Sequence, residues 1–101
     1  MATTSKVLYR GAASTTTTTT LYTVPSATTT VVTNIVVTNT AGTVGTFTLA
    51  LDGTSIASTV NVAAYDSTVI DLKQVLAATK TITGGASATT INFHISGVEI
   101  A

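Results

Sequence analysis

The sequence predicts an all-β fold, an antiparallel β-sandwich of seven to eight strands with jelly-roll-like or immunoglobulin-like connections. Three observations predict it. About a quarter of the 101 positions are threonine, whose branched Cβ suits a pleated strand while its hydroxyl faces water. Apolar residues recur with period two, most clearly at Phe47, Leu49 and Leu51 between Thr46, Thr48 and Ala50. Turn signals fall about every ten residues, the spacing that a sandwich of short strands needs.

The elements follow in order. Ser5 to Arg10 alternates Lys6, Leu8 and Arg10 with Val7 and Tyr9, a short strand broken by Gly11-Ala12-Ala13-Ser14. Thr15 to Thr20 reads as a loop leading into Leu21 to Val24, which Pro25 ends because proline has no N–H for a ladder. Thr28 to Thr40 is the longest candidate strand, about twice the usual length, so a bend or bulge is expected inside it, at Asn34. Ile35 and Val37 facing one way and Val36 the other would make both faces apolar, as in a strand covered on both sides, one cover being a second subunit.

Val44 to Leu51 follows a turn at Ala41-Gly42-Thr43. Asp52-Gly53 is a two-residue hairpin signal of type I′, leading to Thr54–Val62 with Ile56, Val60 and Val62 in phase. Ser67 to Leu72 places Ile70 and Leu72 inward. Lys73 to Ala78 gathers helix formers over six residues, too few for a stable helix, and reads as a crossing loop. Lys80 to Thr83 is a short strand, Gly84-Gly85 a turn, and Thr90 to Ile100 the last strand. There Ile91, Phe93 and Ile95 share a face until a bulge at Gly97 turns Val98 and Ile100 inward.

Domain organisation is simple: one domain, with an N-terminal strand or arm and Thr-rich loop over residues 1–20 and a sandwich body over 21–101. The Thr-rich stretch offers little to pack on its own core and is expected to reach a neighbouring chain.

Composition narrows the function classes. Hydrophobic residues make up 45% of the chain and charged residues only 8%, with formal net charge zero, so no electrostatic footprint for nucleic acid or an anionic membrane exists. A neutral surface with few charges gives little repulsion between molecules, which points to association with own copies, as a trimer or dimer. The alternative is a monomer kept apart by hydrated threonine. Cysteine is absent, no apolar run approaches a membrane span, and Met1 to Arg10 lacks the apolar core of a signal peptide.

No catalytic, cofactor-binding or metal-ligating constellation is visible. His94 is the one histidine, between Phe93 and Ile95, and is expected on the less buried face as a surface or interface residue. Asp52 and Asp66 have turn roles, Asp66 and Asp71 lack calcium-loop spacing, and Gly84-Gly85 is too short for a phosphate loop. Tyr9, Tyr22 and Tyr65 admit two readings: contact anchors, since tyrosine is favoured at interfaces, or core-edge packing. The candidate interface set is therefore Tyr9, Tyr22, Tyr65, Val36 and His94. A Tyr-lined groove would suit a carbohydrate-binding sandwich, but aromatic residues are only 5% of the chain.

Leu21-Tyr22-Thr23-Val24-Pro25, the strand Thr30 to Thr40, Phe47-Thr48-Leu49-Ala50-Leu51-Asp52-Gly53 and Ser96-Gly97-Val98-Glu99 occur here in that order. In these residues the chain resembles small virion structural proteins of tailed bacteriophages. It departs from their pattern at Ala78-Thr79-Lys80-Thr81-Ile82, where a Gly-Asp-Thr-Ile turn is common. The resemblance implies a β-sandwich, made in the host cytoplasm, that coats a capsid as a decoration (cement) protein or serves in a tail, baseplate or fibre. Its partners would be its own copies and the major capsid protein or other virion proteins. It carries over no catalytic residue and no cofactor.

Overall fold

The computed structural model describes residues Thr3 to Ala101; Met1 and Ala2, the start of the predicted N-terminal segment, lie outside the described residues. Eight strands form: β1 (Thr3–Ala12), β2 (Thr20–Thr23), β3 (Thr29–Asn39), β4 (Gly45–Leu51), β5 (Thr54–Val62), β6 (Ser67–Leu76), β7 (Thr81–Ala86) and β8 (Ile91–Ile100). Two antiparallel four-stranded sheets have the orders β1-β8-β3-β6 and β2-β7-β4-β5.

The pairs β1·β8, β2·β7, β3·β6 and β4·β5 are nested about one point, Asp52-Gly53, so the chain is a single long hairpin wound into two layers. Every connection except β4–β5 passes from one sheet to the other. This is a jelly roll. The immunoglobulin-like alternative requires a different distribution of strands between the sheets. At the tip of the hairpin Asp52 and Gly53 have φ of 52° and 75°, the doubly left-handed backbone of the predicted type I′ turn.

The core lies between the layers. Ile35, Val37, Phe93 and Ile95 from one sheet meet Phe47, Leu49, Val62 and Ile82 from the other, all essentially inaccessible. Phe47 and Phe93 stack edge to face across the gap, with ring centroids 6.2 Å apart, a favoured aromatic arrangement.

Irregularities in the strands correct several sequence expectations. The kink in β3 falls at Thr33, one residue before Asn34: Val32 pairs with Gly97 while Asn34 pairs with Ser96, so Thr33 is the extra residue. β1 has a matching kink at Leu8, which is buried, while Val7 and Arg10 turn outward. Between these two kinked neighbours β8 itself stays regular. Gly97 therefore does not flip the strand, and Val98 and Ile100 stay on the outer side instead of joining the core. A Cβ on Gly97 would sit 2.4 Å from the Val31 carbonyl and 2.9 Å from Leu8 Cδ1. Glycine is there to let both neighbours close in.

Lys73 to Leu76 is not a crossing loop, because β6 continues to Leu76 to match the full length of β3. Gly84-Gly85 is not a turn but the middle of β7. The Thr48 carbonyl and Leu49 pack against Gly84, and the carbonyls of Ser14 and Thr16 cross directly over Gly85. In β5 two irregularities, one at Ile56 and one at Ser58–Thr59 (Thr59 φ 50°), break the period-two phase. Ala57 and Val62 point inward there, while Ile56 and Val60 are left exposed. The N-terminal residues form an integral strand, with Leu8 and Ala13 in the core. The Thr-rich loop beyond them is tied down by the Ala86 N–H donating to the Ser14 carbonyl at 2.8 Å.

Candidate functional site

The outer face of the β1-β8-β3-β6 sheet carries six valines that the core does not use. Strand register lays them out in rows. Arg10, His94, Val36 and Val69 lie across the four strands in one row, followed by Val7, Ser96, Asn34 and Asp71. Beyond the kinks comes Ser5, Val98, Val31 and Val75. Val7, Val69 and Val75 are 46%, 58% and 66% exposed, and Val31, Val36 and Val98 are half-buried by their neighbours. Valine recurs here because a β-branched side chain packs well on a pleated surface. The opposite outer face, on β4 and β7, presents Thr46, Thr48, Thr81 and Thr83. One face thus carries two groups of valines among polar side chains, and the other, on β4 and β7, is threonine-rich.

The kinks also shape the valine-bearing face. Thr33 is displaced from the strand line, its hydroxyl donating to the Ser96 carbonyl at 3.3 Å. A shallow hollow opens on each side of it. One, of about 390 Å³, is lined by Lys6, Val7, Ser96 and Gly97 among others, and the second, of about 480 Å³, by Asp71, Leu72 and Lys73.

Of the candidate interface residues, Val36 and His94 are direct cross-strand neighbours at the centre of this face. The three tyrosines are scattered. Tyr9 is half-buried at the edge of the core, its hydroxyl donating to the Ala12 carbonyl at 2.8 Å. Tyr65 is 79% exposed in the β5–β6 turn, at φ 55°, over Gly42. Tyr22 is buried between the sheets. They line no common groove.

Tyr22 belongs to a clasp that sequence reasoning did not find. Its hydroxyl donates to Glu99 Oε2 and lies 2.8 Å from the buried Thr30 hydroxyl, while Lys6 Nζ pairs with Glu99 at 3.2 Å. Burial first, and then the Glu99 carboxylate, push the Tyr22 phenol above its usual range. Glu99 is held below the usual carboxylate range, chiefly by the bond it accepts from Tyr22 and then by Lys6, against the opposing effect of desolvation. The clasp joins β2 of one sheet to β8 of the other, and with them Leu21–Pro25 to Ser96–Glu99. Its buried polar groups partner one another, so the clasp ties the two sheets together.

A second missed residue is Asn39, at the other end of β3 and 1% exposed. Its amide nitrogen donates to the carbonyls of Thr43 (2.8 Å) and Val62 (3.2 Å), and its side-chain oxygen accepts from the Ala41 N–H at 3.0 Å. Among the described residues no group of three His, Cys, Asp or Glu side chains converges, and no helix is long and apolar enough to cross a membrane.

Neither the protein-family models nor the curated proteins give a match to this chain. Solved structures do. A chain in the T13 infectious bursal disease virus (IBDV) particle aligns with a TM-score of 0.51 at 15% identity, over 97% of this chain and 30% of that one. The likeness is one of fold. A chain of the Gx strain of the same virus aligns at TM-score 0.49 and 13% identity, over 97% of this chain and 31% of that one. A pentameric capsid protein isolated from metagenomic phage sequences aligns at 0.39 and 17%, over 96% of this chain and 59% of that one. This chain therefore spans under a third of the viral-particle chains it matches.

Proposed function

We propose that this chain is a virion structural protein that decorates a capsid shell, docking through the outer face of the β1-β8-β3-β6 sheet. The observation that carries the reading is that face: two groups of surface valines, Val36 with Val69 beside His94 and Val98 with Val31 and Val75, on a chain with only 8% charged residues. Clustered exposed apolar residues of this kind mark protein contact sites, whereas singly scattered ones would need no explanation. The jelly-roll winding, its likeness to a chain of a viral particle, and the phage-virion resemblance in Leu21–Pro25 and Ser96–Glu99 support the same reading. The function needs no reacting group, only shape and desolvation.

Mixing the protein with expanded empty capsids tests it. Saturable binding and a raised shell disruption temperature are expected. Val36→Glu and Val69→Glu, which place a charge on the outer face without entering the core, are expected to abolish binding while leaving the circular dichroism spectrum unchanged. Failure to bind any head intermediate, or immunogold label confined to the tail tip of intact particles, would overturn the reading.

A further inference from the structure

Four strand edges are open to pairing, and three of them are closed to it by their own geometry. β2 has only four residues. β5 is twice irregular and has Thr59 in the left-handed region. β1 is kinked at Leu8 and carries Lys6 and Arg10. Short, kinked or charged edges are how β-proteins prevent unwanted pairing. β6 is different. It runs ten residues without proline or glycine, and Val69, Asp71, Lys73 and Val75 keep to its outer face, although in the pairing with β3 Leu72 and Lys73 stand together opposite the single residue Thr33.

β6 also carries charge, which on most edges would block pairing. Here the charges are arranged symmetrically. The outward side chains along the strand are Val69, Asp71, Lys73 and Val75, all exposed, with Leu72 at the centre. Among the described residues neither Asp71 nor Lys73 forms an ion pair. A second β6 laid antiparallel, with Leu72 opposite Leu72, sets each Asp71 against a Lys73 and each Val69 against a Val75. Sliding by two residues in either direction sets Asp71 against Asp71 or Lys73 against Lys73, so the charges permit one register and oppose its neighbours.

We infer that β6 is a self-complementary edge through which two copies of this chain pair about a two-fold axis beside Leu72, joining their outer sheets into one eight-stranded sheet. A two-fold contact needs a patch that matches itself, and the order Val-x-Asp-x-Lys-x-Val supplies one. Because the axis stands perpendicular to the sheet, the two valine-bearing outer faces lie side by side on the same surface of the dimer. The pairing does not depend on the shell-binding reading: it is a property of the free protein.

Sedimentation velocity on the whole chain, up to about 1 mM, tests it by mass action. Wild type is expected to show a concentration-dependent monomer–dimer equilibrium. Asp71→Lys and Lys73→Asp each turn two attractive cross-strand pairs into repulsive ones, and each is expected to weaken the dimer about tenfold or more. The double variant D71K/K73D restores opposite charges across the axis and is expected to recover wild-type association. Both positions are exposed, so the fold persists in all variants, as circular dichroism would verify. A wild type that stays monomeric throughout, single variants that associate like wild type, or a double variant that fails to recover would each overturn the inference.

Discussion

Truncating Asn39 to alanine tests the view that one buried amide holds the loop end of the sandwich together. The side chain donates to the Thr43 and Val62 carbonyls and accepts from the Ala41 N–H, at a position with 1% exposure. Asn39→Ala removes all of these bonds, taking the acceptor from the Ala41 N–H and a donor from each of the Thr43 and Val62 carbonyls. A buried polar group left unpaired costs roughly 1–3 kcal/mol, so the expected loss is about 3 kcal/mol once some water enters. For a domain whose whole stability is of order 5–15 kcal/mol, that is a large fraction. Equilibrium urea unfolding reads the loss as a lower midpoint at unchanged slope. Asn39→Asp keeps the shape but points a carboxylate at the carbonyls it should donate to. It is expected to cost at least as much near pH 7 and to recover partly in acid. A loss below about 1 kcal/mol for the alanine variant would refute the reasoning, since it would mean that solvent replaces the amide without penalty.

Gly97→Ala places a Cβ against the Val31 carbonyl and Leu8, and is expected to cost about 3 kcal/mol, read as a fall in Tm of more than about 10 °C. Gly53→Ala meets no neighbour and suffers only from its φ of 75°, so about 1 kcal/mol is expected, appearing mainly as slower folding if the β4–β5 hairpin forms early. Glu99 has a lowered pKa in the fold. Its contribution is therefore present above the ordinary carboxylate range and lost as pH falls through the lowered value, and Glu99→Gln should flatten the acid limb of a urea-midpoint profile. Tyr22 has a raised pKa, so its contribution is present below the ordinary phenol range and lost as pH rises through the raised value. Alkaline absorbance titration should show one late phenol that Tyr22→Phe removes.

What was legible in the sequence was local. The Asp52-Gly53 turn and the alternation of Phe47, Leu49 and Leu51 depend on adjacent residues and appear where they were expected. Gly84-Gly85 and Gly97 were misread because glycine in a sequence does not say whether it serves a turn or a close approach, and here the approaching backbone comes from Ser14, Thr16, Thr48 and Val31. The phase of β5 is lost first at Ile56 and again at Ser58–Thr59, since each irregularity resets which side chains face the core. The juxtaposition of Val36 with His94 and the bond from Tyr22 to Glu99, 77 residues away, depend on winding and register, which no local pattern encodes. The order Val69, Asp71, Lys73, Val75 stood in the sequence throughout. It acquired meaning only once Lys73 to Leu76 proved to be strand rather than loop.

The winding also decides when a contact surface can exist. β4 and β5 pair across two residues, whereas the sheet with the valine-bearing outer face needs β8 to pair with β1 and with β3, the longest separations in the chain. Loop closure over such separations is slow, so this sheet is expected to be completed after the hairpin at Asp52-Gly53, an order that φ-values at Val36 and Leu49 would check. Until β8 pairs, Val36 has no His94 beside it and Val31 no Val98. A partner that recognises the finished face therefore selects the fully wound chain, and by binding it alone adds to its stability. In a chain with 8% charged residues and little repulsion to keep copies apart, building the sticky face from the last strands to pair confines association to molecules that have already folded.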